Sequence, residues 1–201
     1  MGSKERITRI KEHTRSAILH AAMTIVREEG WNGLSMRKIA DIIEYTPPII
    51  YGYFANKEAI LLELTNQGYR ELSLCMRQAK SDFAEPVRQL EAMWLAYWEF
   101  AFSQKEIYQL MFGIGTGCCH QKAPWAESEY PGQLIMEVIK ALLPGRFPSK
   151  ELVYRKYYSF WSFVHGLISI NMVNKGTPEK MSLSILRDAI GAISASIEEN
   201  I

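Results

Sequence analysis

Cysteine is scarce in this sequence of 201 residues, and the three that occur, Cys75, Cys118 and Cys119, include an adjacent pair. An odd number with this spacing gives no disulfide framework, which excludes the small cross-linked domains of secreted proteins. The first residues also lack the apolar segment of a secretion signal. We therefore expect the chain to work in a reducing compartment, the cytoplasm.

Patterns for metal, phosphate and nucleophile sites are missing as well. Cys118, Cys119 and His120 are consecutive, so their side chains do not readily surround one ion, and no other cysteine or histidine has ligand spacing. There is no glycine-rich phosphate loop and no nucleophile elbow. We expect no metal, no cofactor and no enzymatic activity, and the sequence assigns no role to these three residues.

Strand signals are few, because β-branched clusters are short and the one Asn-Gly pair, Asn32-Gly33, follows a helical pattern. Apolar residues instead recur at three- and four-residue spacing, which predicts an all-α fold of about nine helices. The predicted helices cover about residues 8–29, 35–43, 46–53, 57–80, 85–103, 105–112, 132–143, 149–174 and 179–200.

One segment resembles a membrane span, since no charged residue occurs from Tyr157 to Asn174. Polar residues such as Ser162, His165 and Ser169 interrupt it at every turn. We therefore predict a helix buried on all sides within a helical protein, and no membrane partner.

Charge is nearly balanced over the whole chain, with a net charge of +1, but it is uneven. The first fifteen residues carry five basic and two acidic side chains. A short basic segment on a near-neutral body is typical of local contact with phosphates rather than of a protein that coats nucleic acid.

The segment from Ser35 to Phe54 has the spacing of a helix-turn-helix. Ser35 is a good N-cap, and the small residue Ala40 stands where two short helices would meet. Apolar residues that would face a preceding helix are Ile39, Ile43, Tyr45, Ile50 and Tyr53 or Phe54. The second helix of this motif enters the major groove of DNA.

These residues resemble the N-terminal DNA-binding domain of the TetR family of regulators. The similarity is carried by residues 37–40, 45–46, 50–54 and 56–58, with support from Ala21-Ala22, Gly30-Trp31 and residues 34–36, and it covers about residues 8–65. Trp161, His165 and Gly166 resemble the W-x3-HG signature of one class of TetR ligand-binding domains. The resemblance implies a DNA-binding domain at 1–64 and a ligand-binding and dimerisation domain at 65–201.

Two features depart from the family pattern. Glu44 stands in the turn where glycine is usual, and a positive φ there would cost on the order of 1 kcal/mol. Pro47 and Pro48 open the second helix. Because a residue before proline avoids the α region, we predict that the helix starts at Pro48 with Pro47 outside it.

The prolines and Ile49 offer no side-chain hydrogen bond, so they can only press on thymine methyl groups. Polar contacts to bases then have to come from Arg37, Tyr45 or Thr46, with DNA shape adding specificity. The predicted base-reading residues are Arg37, Tyr45, Thr46, Pro47, Pro48 and Ile49. By resemblance, the phosphate contacts are Tyr51, Tyr53 and Lys57, and Lys11 and Arg15 reach the flanking DNA.

The second half of the chain is rich in aromatic residues, which either form an ordinary core or line a cavity for an apolar or aromatic effector. The candidate effector residues are Trp94, Tyr97, Trp98, Met111, Phe112, Trp161 and His165. In the TetR family, a ligand in such a cavity moves the fourth helix and changes the spacing of the two DNA-reading heads.

The last two helices are predicted to form a homodimer. Leu183, Leu186, Ile190, Ile193 and Ile197 form an apolar stripe beside small residues, and residues 149–174 complete a four-helix bundle with a second copy. Two-fold symmetry then requires a palindromic operator with half-sites about 34–36 Å apart, or a multiple of that.

The sequence therefore predicts a bacterial, ligand-responsive regulator of transcription, a repressor by preference. Two alternatives remain open: a DNA-binding regulator without small-molecule control, acting as an activator or through a protein partner, and a small all-α enzyme. Effector, operator and regulated genes are not specified by the sequence.

Overall fold

The computed structural model describes residues 2–113, 131–143, 148–173 and 177–198. In these ranges the chain forms helices and no strand, which confirms the all-α prediction. The helices are α1 (Ser3–Glu29), α2 (Met36–Ile42), α3 (Pro47–Tyr51), α4 (Lys57–Ser81), α5 (Pro86–Ser103), α6 (Lys105–Phe112), α7 (Pro131–Leu142), α8 (Lys150–Val173) and α9 (Glu179–Glu198). Cys118, Cys119 and His120 lie outside the described residues, as does most of the loop expected after α6.

The helices belong to two compact units. One contains the described residues up to Gln67 and those from Gln109 to Gly113, and the other contains the described residues of 68–108 and of 124–201. The division falls inside α4, where the sequence places the change of function. The boundary between residues 64 and 65 stays a prediction.

In the first unit, α2 packs against both α1 and α3. Ile18, Ile39, Ile50 and Ile60 are fully buried, and each such side chain stabilises the fold by about 1.5–3 kcal/mol. Gly30 ends α1 at a φ of 75° and donates its N–H to the carbonyl of Val26 at 2.9 Å. A residue other than glycine is rarely stable at that φ, so this ending was predictable from the sequence.

α1 begins at Ser3, before the expected start near Thr8. Its first turns are exposed, including Ile7 and Ile10. These turns lack the buried apolar stripe from which the position of a helix is predicted. No proline or glycine interrupts residues 3–29, so local propensity extends the helix beyond its buried part.

In the second unit, α5 packs against α7, α8 and α9, and α8 packs against α7 and α9. α8 and α9 are antiparallel: Ser182 near the start of α9 donates to the Oδ1 of Asn171 at 3.1 Å. Near the other end, Lys156 donates to the carbonyl of Ser196 at 2.8 Å.

The prediction that α8 is buried on all sides is wrong. One face is buried through Val153, Tyr157, Phe160, Val164 and Ile168. The opposite face leaves Phe163, Ile170 and Val173 exposed. The uncharged part of α8 therefore has two apolar surfaces, of which the described residues cover one. Over the described residues, no helix has the length and apolar character needed to cross a membrane.

Candidate nucleic-acid interface and effector site

The α2–α3 segment has the geometry of a helix-turn-helix. The Ser35 hydroxyl accepts the N–H of Lys38 at 3.3 Å, which caps α2 as predicted. Ala40 is fully buried, and its carbonyl accepts the N–H of Tyr45 at 2.9 Å across the turn. Glu44, between them, has a φ of 57°, so the left-handed conformation considered from the sequence does occur at a residue other than glycine.

α3 begins at Pro47, so the expectation that Pro47 lies outside the helix is wrong. Thr46, the N-cap, obeys the restriction on a residue before proline with an extended ψ of 148°, whereas Pro47, which precedes Pro48, is helical in spite of it. Pro47 and Pro48 occupy the first turn, where backbone N–H groups have no partner within the helix, so their missing donors leave no hydrogen bond unmade.

The side chains of α3 separate into one anchor and an outward surface. Ile50 is fully buried, whereas Ile49 is 41% exposed and Tyr51 is 54% exposed. Tyr45, Thr46 and Pro48 are exposed and Pro47 is half-buried. The predicted base-reading residues on α3 and its N-cap thus lie together at the N-terminal end of α3, on the solvent-accessible surface of the first unit.

Arg37 and Lys38 are adjacent exposed cations on α2, but only one of them is paired within the described chain. Lys38 contacts the carboxylate of Glu29, while Arg37 has no hydrogen bond or ion pair with a described residue. The long, planar guanidinium of Arg37 is therefore available for a base edge or a phosphate.

Two of the predicted DNA-contacting cations are held by the protein. The guanidinium of Arg15 lies 2.7 Å from Glu63 and stacks 4.5 Å from the ring centre of Phe54. The ammonium group of Lys57 donates to the carbonyl of Trp31 at 3.0 Å. Lys11 is exposed, and Tyr53 is half-buried. Phe54 is buried, as a core aromatic should be.

Aromatic side chains from α5, α6 and α8 form a cluster in the second unit. Trp94, Tyr97, Tyr108 and Phe160 are buried, and Trp94 stacks on Phe160 at 5.8 Å between ring centres. Most of these residues are packed as a core. Trp161 and His165 are half-buried and stack on each other at 4.8 Å, so they form the accessible end of the cluster.

A chain of hydroxyl groups runs through this cluster. The hydroxyls of Tyr97 and Tyr108 are 3.3 Å apart, and that of Tyr108 lies 2.6 Å from Nδ1 of His165. Burial lowers the pKa of His165 and raises those of both tyrosines. The phenols therefore keep their protons and the imidazole is neutral near pH 7, so the tautomer of His165 decides whether Nδ1 accepts from Tyr108 or donates to it.

Trp94 adds a second polar feature. Its Nε1 is buried and has no hydrogen-bond partner among the described residues, and the whole side chain is buried. An unsatisfied buried donor costs about 1–3 kcal/mol, so a ligand acceptor that reached Nε1 would recover that free energy.

Two family models match this chain. Residues 18–64 match the family described as bacterial regulatory proteins, tetR family. Residues 90–185 match the tetracyclin repressor-like C-terminal domain. The chain belongs to the TetR family of transcriptional regulators. Members of this family bind DNA and are not enzymes, and membership implies a small-molecule effector.

Similar proteins agree with this assignment. The HTH-type transcriptional repressor NicS of Pseudomonas putida is 23% identical over 133 residues, which span 66% of this chain and 61% of that protein's length. Among solved structures, the regulatory protein SCO4313 is 21% identical with a TM-score of 0.73, and the match covers 92% of this chain and 97% of that one. Thermus thermophilus FadR, a TetR-family repressor solved with lauroyl-CoA, is 22% identical with a TM-score of 0.62, covering 89% and 92%. At these identities, the structural likeness shows the fold.

The predicted effector residues of this TetR-family chain are only partly brought together. Tyr97, Trp161 and His165 share the aromatic cluster with Trp94, whereas Trp98 lines a separate cleft on α5. Met111 is buried and Phe112 half-buried on α6.

Sequence reasoning missed Tyr108 as a site residue, although it links Tyr97 to His165. Its only signal was an aromatic ring with a polar tip on a short helix, which is also what a core tyrosine looks like. Ile42 was missed as well. It is an exposed apolar residue at the end of α2, one position before the turn region.

Proposed function

We propose that this TetR-family protein is a cytoplasmic repressor that binds a palindromic operator as a homodimer and is released by an apolar or aromatic small molecule. One observation carries the DNA-binding part: α3 holds Ile50 in the core while presenting Pro48, Ile49 and Tyr51 to solvent. Apolar and aromatic groups gathered on one helix end mark an interaction surface.

The chemistry of this surface suggests how an operator is read. Arg37 is unpaired within the described chain and can bind guanine O6 and N7. Pro47, Pro48 and Ile49 can contact only thymine methyl groups. Tyr45 and Thr46 supply the remaining polar groups. We therefore propose an operator half-site with a guanine beside thymine-rich positions.

Phosphate contacts would come from Tyr51, Tyr53, Lys57 and Lys11. Lys57 keeps two ammonium protons after donating to Trp31, and it begins α4, where free N–H groups favour an anion. Arg15 would have to leave Glu63 to reach DNA, so we assign it mainly to holding α1 against α4.

The apolar stripe predicted for the dimer is packed inside this chain at Leu186, Ile190 and Ile197, so the homodimer is supported instead by the uncovered faces of α8 and α9. Phe163, Ile170 and Val173 on α8 and Met181 and Ile185 on α9 are exposed. The same side of α9 carries Gly191, Ala192 and Ala195, which are exposed and small enough for close helix approach. A second copy would bury these faces in a four-helix bundle.

The effector site is proposed at the Trp161–His165 end of the aromatic cluster. The rings of Trp161 and His165 supply stacking surface, the imidazole of His165 is held by its hydrogen bond with Tyr108, and Trp94 has a buried Nε1 without a partner among the described residues. An aromatic compound with a hydrogen-bond acceptor suits this chemistry. Repression is supported by NicS, a repressor, and an apolar effector by FadR, which was solved with lauroyl-CoA.

A second candidate is a DNA-binding regulator without small-molecule control. The tight packing of Trp94, Tyr97 and Phe160 favours it, because these residues already satisfy a core role. Thermal-shift screening with apolar compounds separates the candidates, since a ligand that binds only the folded state raises the unfolding temperature.

The DNA-binding part is tested by gel shifts with the DNA upstream of the protein's own gene, at several salt concentrations. The wild type should bind with affinity that falls as salt rises. Arg37→Ala should weaken binding by about 1–3 kcal/mol, whereas Arg27→Ala, an equally exposed arginine on α1, should not. Equal losses from both variants would show that α2–α3 does not read the operator.

A further inference from the structure

A cleft of about 640 Å³ lies in the second unit, between the C-terminal half of α5, the end of α8 and the first half of α9. It is separate from the Trp161–His165 end of the aromatic cluster. Of the predicted effector residues, Trp98 is the one that lines this cleft. Its volume is in the range of small-molecule sites. Nothing in the DNA-reading surface or the effector proposal uses it.

The direction of the helices orders the residues along this cleft. α5 runs the same way as α8, because Trp94 packs on Phe160 while Trp98, one turn later, meets the cleft beside Asn171. α9 runs the opposite way to α8. α5 and α9 are therefore antiparallel where they form the two walls, and the start of α9 faces the end of α5.

Charged residues stand at both ends of the cleft. Glu179 begins α9, and Leu183 and Arg187 follow on the same helical face at four-residue intervals. At 1.5 Å per residue, Glu179 and Arg187 are about 12 Å apart along the helix axis. Glu99 on the α5 wall adds a second carboxylate nearer the middle.

These three charges are not used inside the protein. Glu99, Glu179 and Arg187 have no hydrogen bond or ion pair with a described residue. Between them, Trp98 and Leu183 provide an apolar middle. The cleft thus offers the Glu179 carboxylate at one end, the Arg187 guanidinium at the other, and between them an apolar surface beside the Glu99 carboxylate.

We propose that this cleft binds a short peptide in its zwitterionic form. Its ammonium group lies at Glu179, its carboxylate at Arg187, and an apolar central side chain against Trp98 and Leu183. An extended chain advances about 3.3–3.6 Å per residue, so a tripeptide matches the separation of the charges.

Polar groups in the same cleft suit a peptide backbone. Asn171 and Ser182 are held in place by their mutual hydrogen bond of 3.1 Å, and Ser182 also lies 2.5 Å from the hydroxyl of Thr177. Ser182 is fully buried and serves to orient its neighbours, so the remaining amide N–H of Asn171 and the exposed Thr177 are the groups that can meet the backbone of a bound peptide.

The test is calorimetric titration of the full-length protein with Gly-Phe-Gly, its N-acetyl form and its C-terminal amide. The free tripeptide should bind about tenfold more tightly than either blocked form, as expected for a charge-assisted contact at each end. Equal binding of the three peptides, or no binding of any of them at about 10 mM, would overturn the proposal, since millimolar binding is measurable.

Variants of the charged residues test which side chain binds each end of the peptide. Arg187→Met should bind the tripeptide and its amide equally, and Glu179→Gln should bind the tripeptide and its N-acetyl form equally. Both side chains are exposed, so folding should persist, which a thermal melt checks. Arg155→Met removes an exposed arginine of α8 outside the cleft and should retain both preferences.

His165→Gln separates this site from the effector site. Tripeptide affinity unchanged in this variant supports binding in the cleft, whereas a loss of affinity would place the peptide at the aromatic cluster and refute the proposal. Gel shifts without peptide report operator binding independently, so a failure here is distinguishable from a failure of the repressor assignment.

Discussion

The hydroxyl of Tyr108 lies 2.6 Å from Nδ1 of His165, although 57 positions separate the two residues in the chain. This bond joins α6 to α8 and continues through Tyr97, so three polar side chains satisfy one another within an aromatic surrounding. A polar chain of this kind is stabilising only while every member keeps its partner.

Tyr108→Phe should therefore destabilise the protein. The change removes one hydroxyl and leaves both Tyr97 and His165 without it, at an expected cost of about 1–3 kcal/mol. Urea denaturation measures the effect. Tyr154→Phe removes the hydroxyl of an exposed tyrosine on α8 and should change the free energy of unfolding by less than about 0.5 kcal/mol. Similar effects of both variants would mean that the hydrogen bonds among Tyr97, Tyr108 and His165 contribute nothing to the free energy of unfolding.

The stability should also depend on the protonation of His165. Burial lowers its pKa below the ordinary value of 6.5, so the unfolded chain takes up this proton before the folded one as pH falls. The contribution to stability is complete above pH 6.5 and decreases as pH falls through and below that value. Unfolding of His165→Gln should thus be less sensitive to acid than that of the wild type. His20→Gln, which removes an exposed histidine, should follow the wild-type curve.

Ile49 and Ile50 are neighbours with opposite expected effects. Ile50→Ala empties a fully buried site and should cost about 2–5 kcal/mol of stability. Ile49→Ala should leave stability nearly unchanged but weaken operator binding, because its side chain is exposed on α3. Denaturation and gel shifts of the same two variants check both statements. Normal operator affinity in Ile49→Ala would remove this residue from the interface.

Glu44→Gly should stabilise the protein. Glu44 has a φ of 57°, a conformation that costs a residue with a Cβ about 1–2 kcal/mol and glycine little. Because glycine also adds freedom to the unfolded chain, the net gain should be about 0.5–1 kcal/mol. Glu44→Ala keeps the Cβ and is the matched control. An equal gain in the alanine variant would assign the effect to the lost carboxylate instead.

Ile170→Asp should disrupt the proposed dimer. Ile170 is exposed on the uncovered face of α8, where a partner copy would have to bury the new charge. Sedimentation velocity should show monomers at concentrations where the wild type is dimeric, and operator binding should weaken. Leu74→Asp places the same charge at an exposed leucine of α4 and should leave the dimer intact. A dimeric Ile170→Asp would exclude this face as the interface.

Much of the fold was predictable from local patterns. Ser35 and Asn56 act as caps, with Asn56 accepting the N–H of Ala59 at 2.9 Å, and Gly30 ends α1. Each of these signals depends on only a few neighbouring residues. The start of α1 was misplaced because an exposed helix end carries no buried stripe to mark it.

The candidate site was predictable in outline only. α3 and its exposed residues follow from the family pattern, but Pro47 at its first position does not, since proline suits the first turn of a helix while a residue before proline avoids the helical region. That Arg15 is held by Glu63 while Arg37 is unpaired among the described residues could not be read from the charges alone.

The amino-acid sequence by itself determined the helical class, the helix-turn-helix and the family, because caps, turn residues and apolar periods act over a few positions along the chain. The tertiary structure was needed to show which aromatic rings are core, that Tyr108 joins Tyr97 to His165, and that three charges without a partner among the described residues surround one cleft on α5 and α9. Those relationships depend on how distant helices approach one another, and that approach is set by packing over many side chains together.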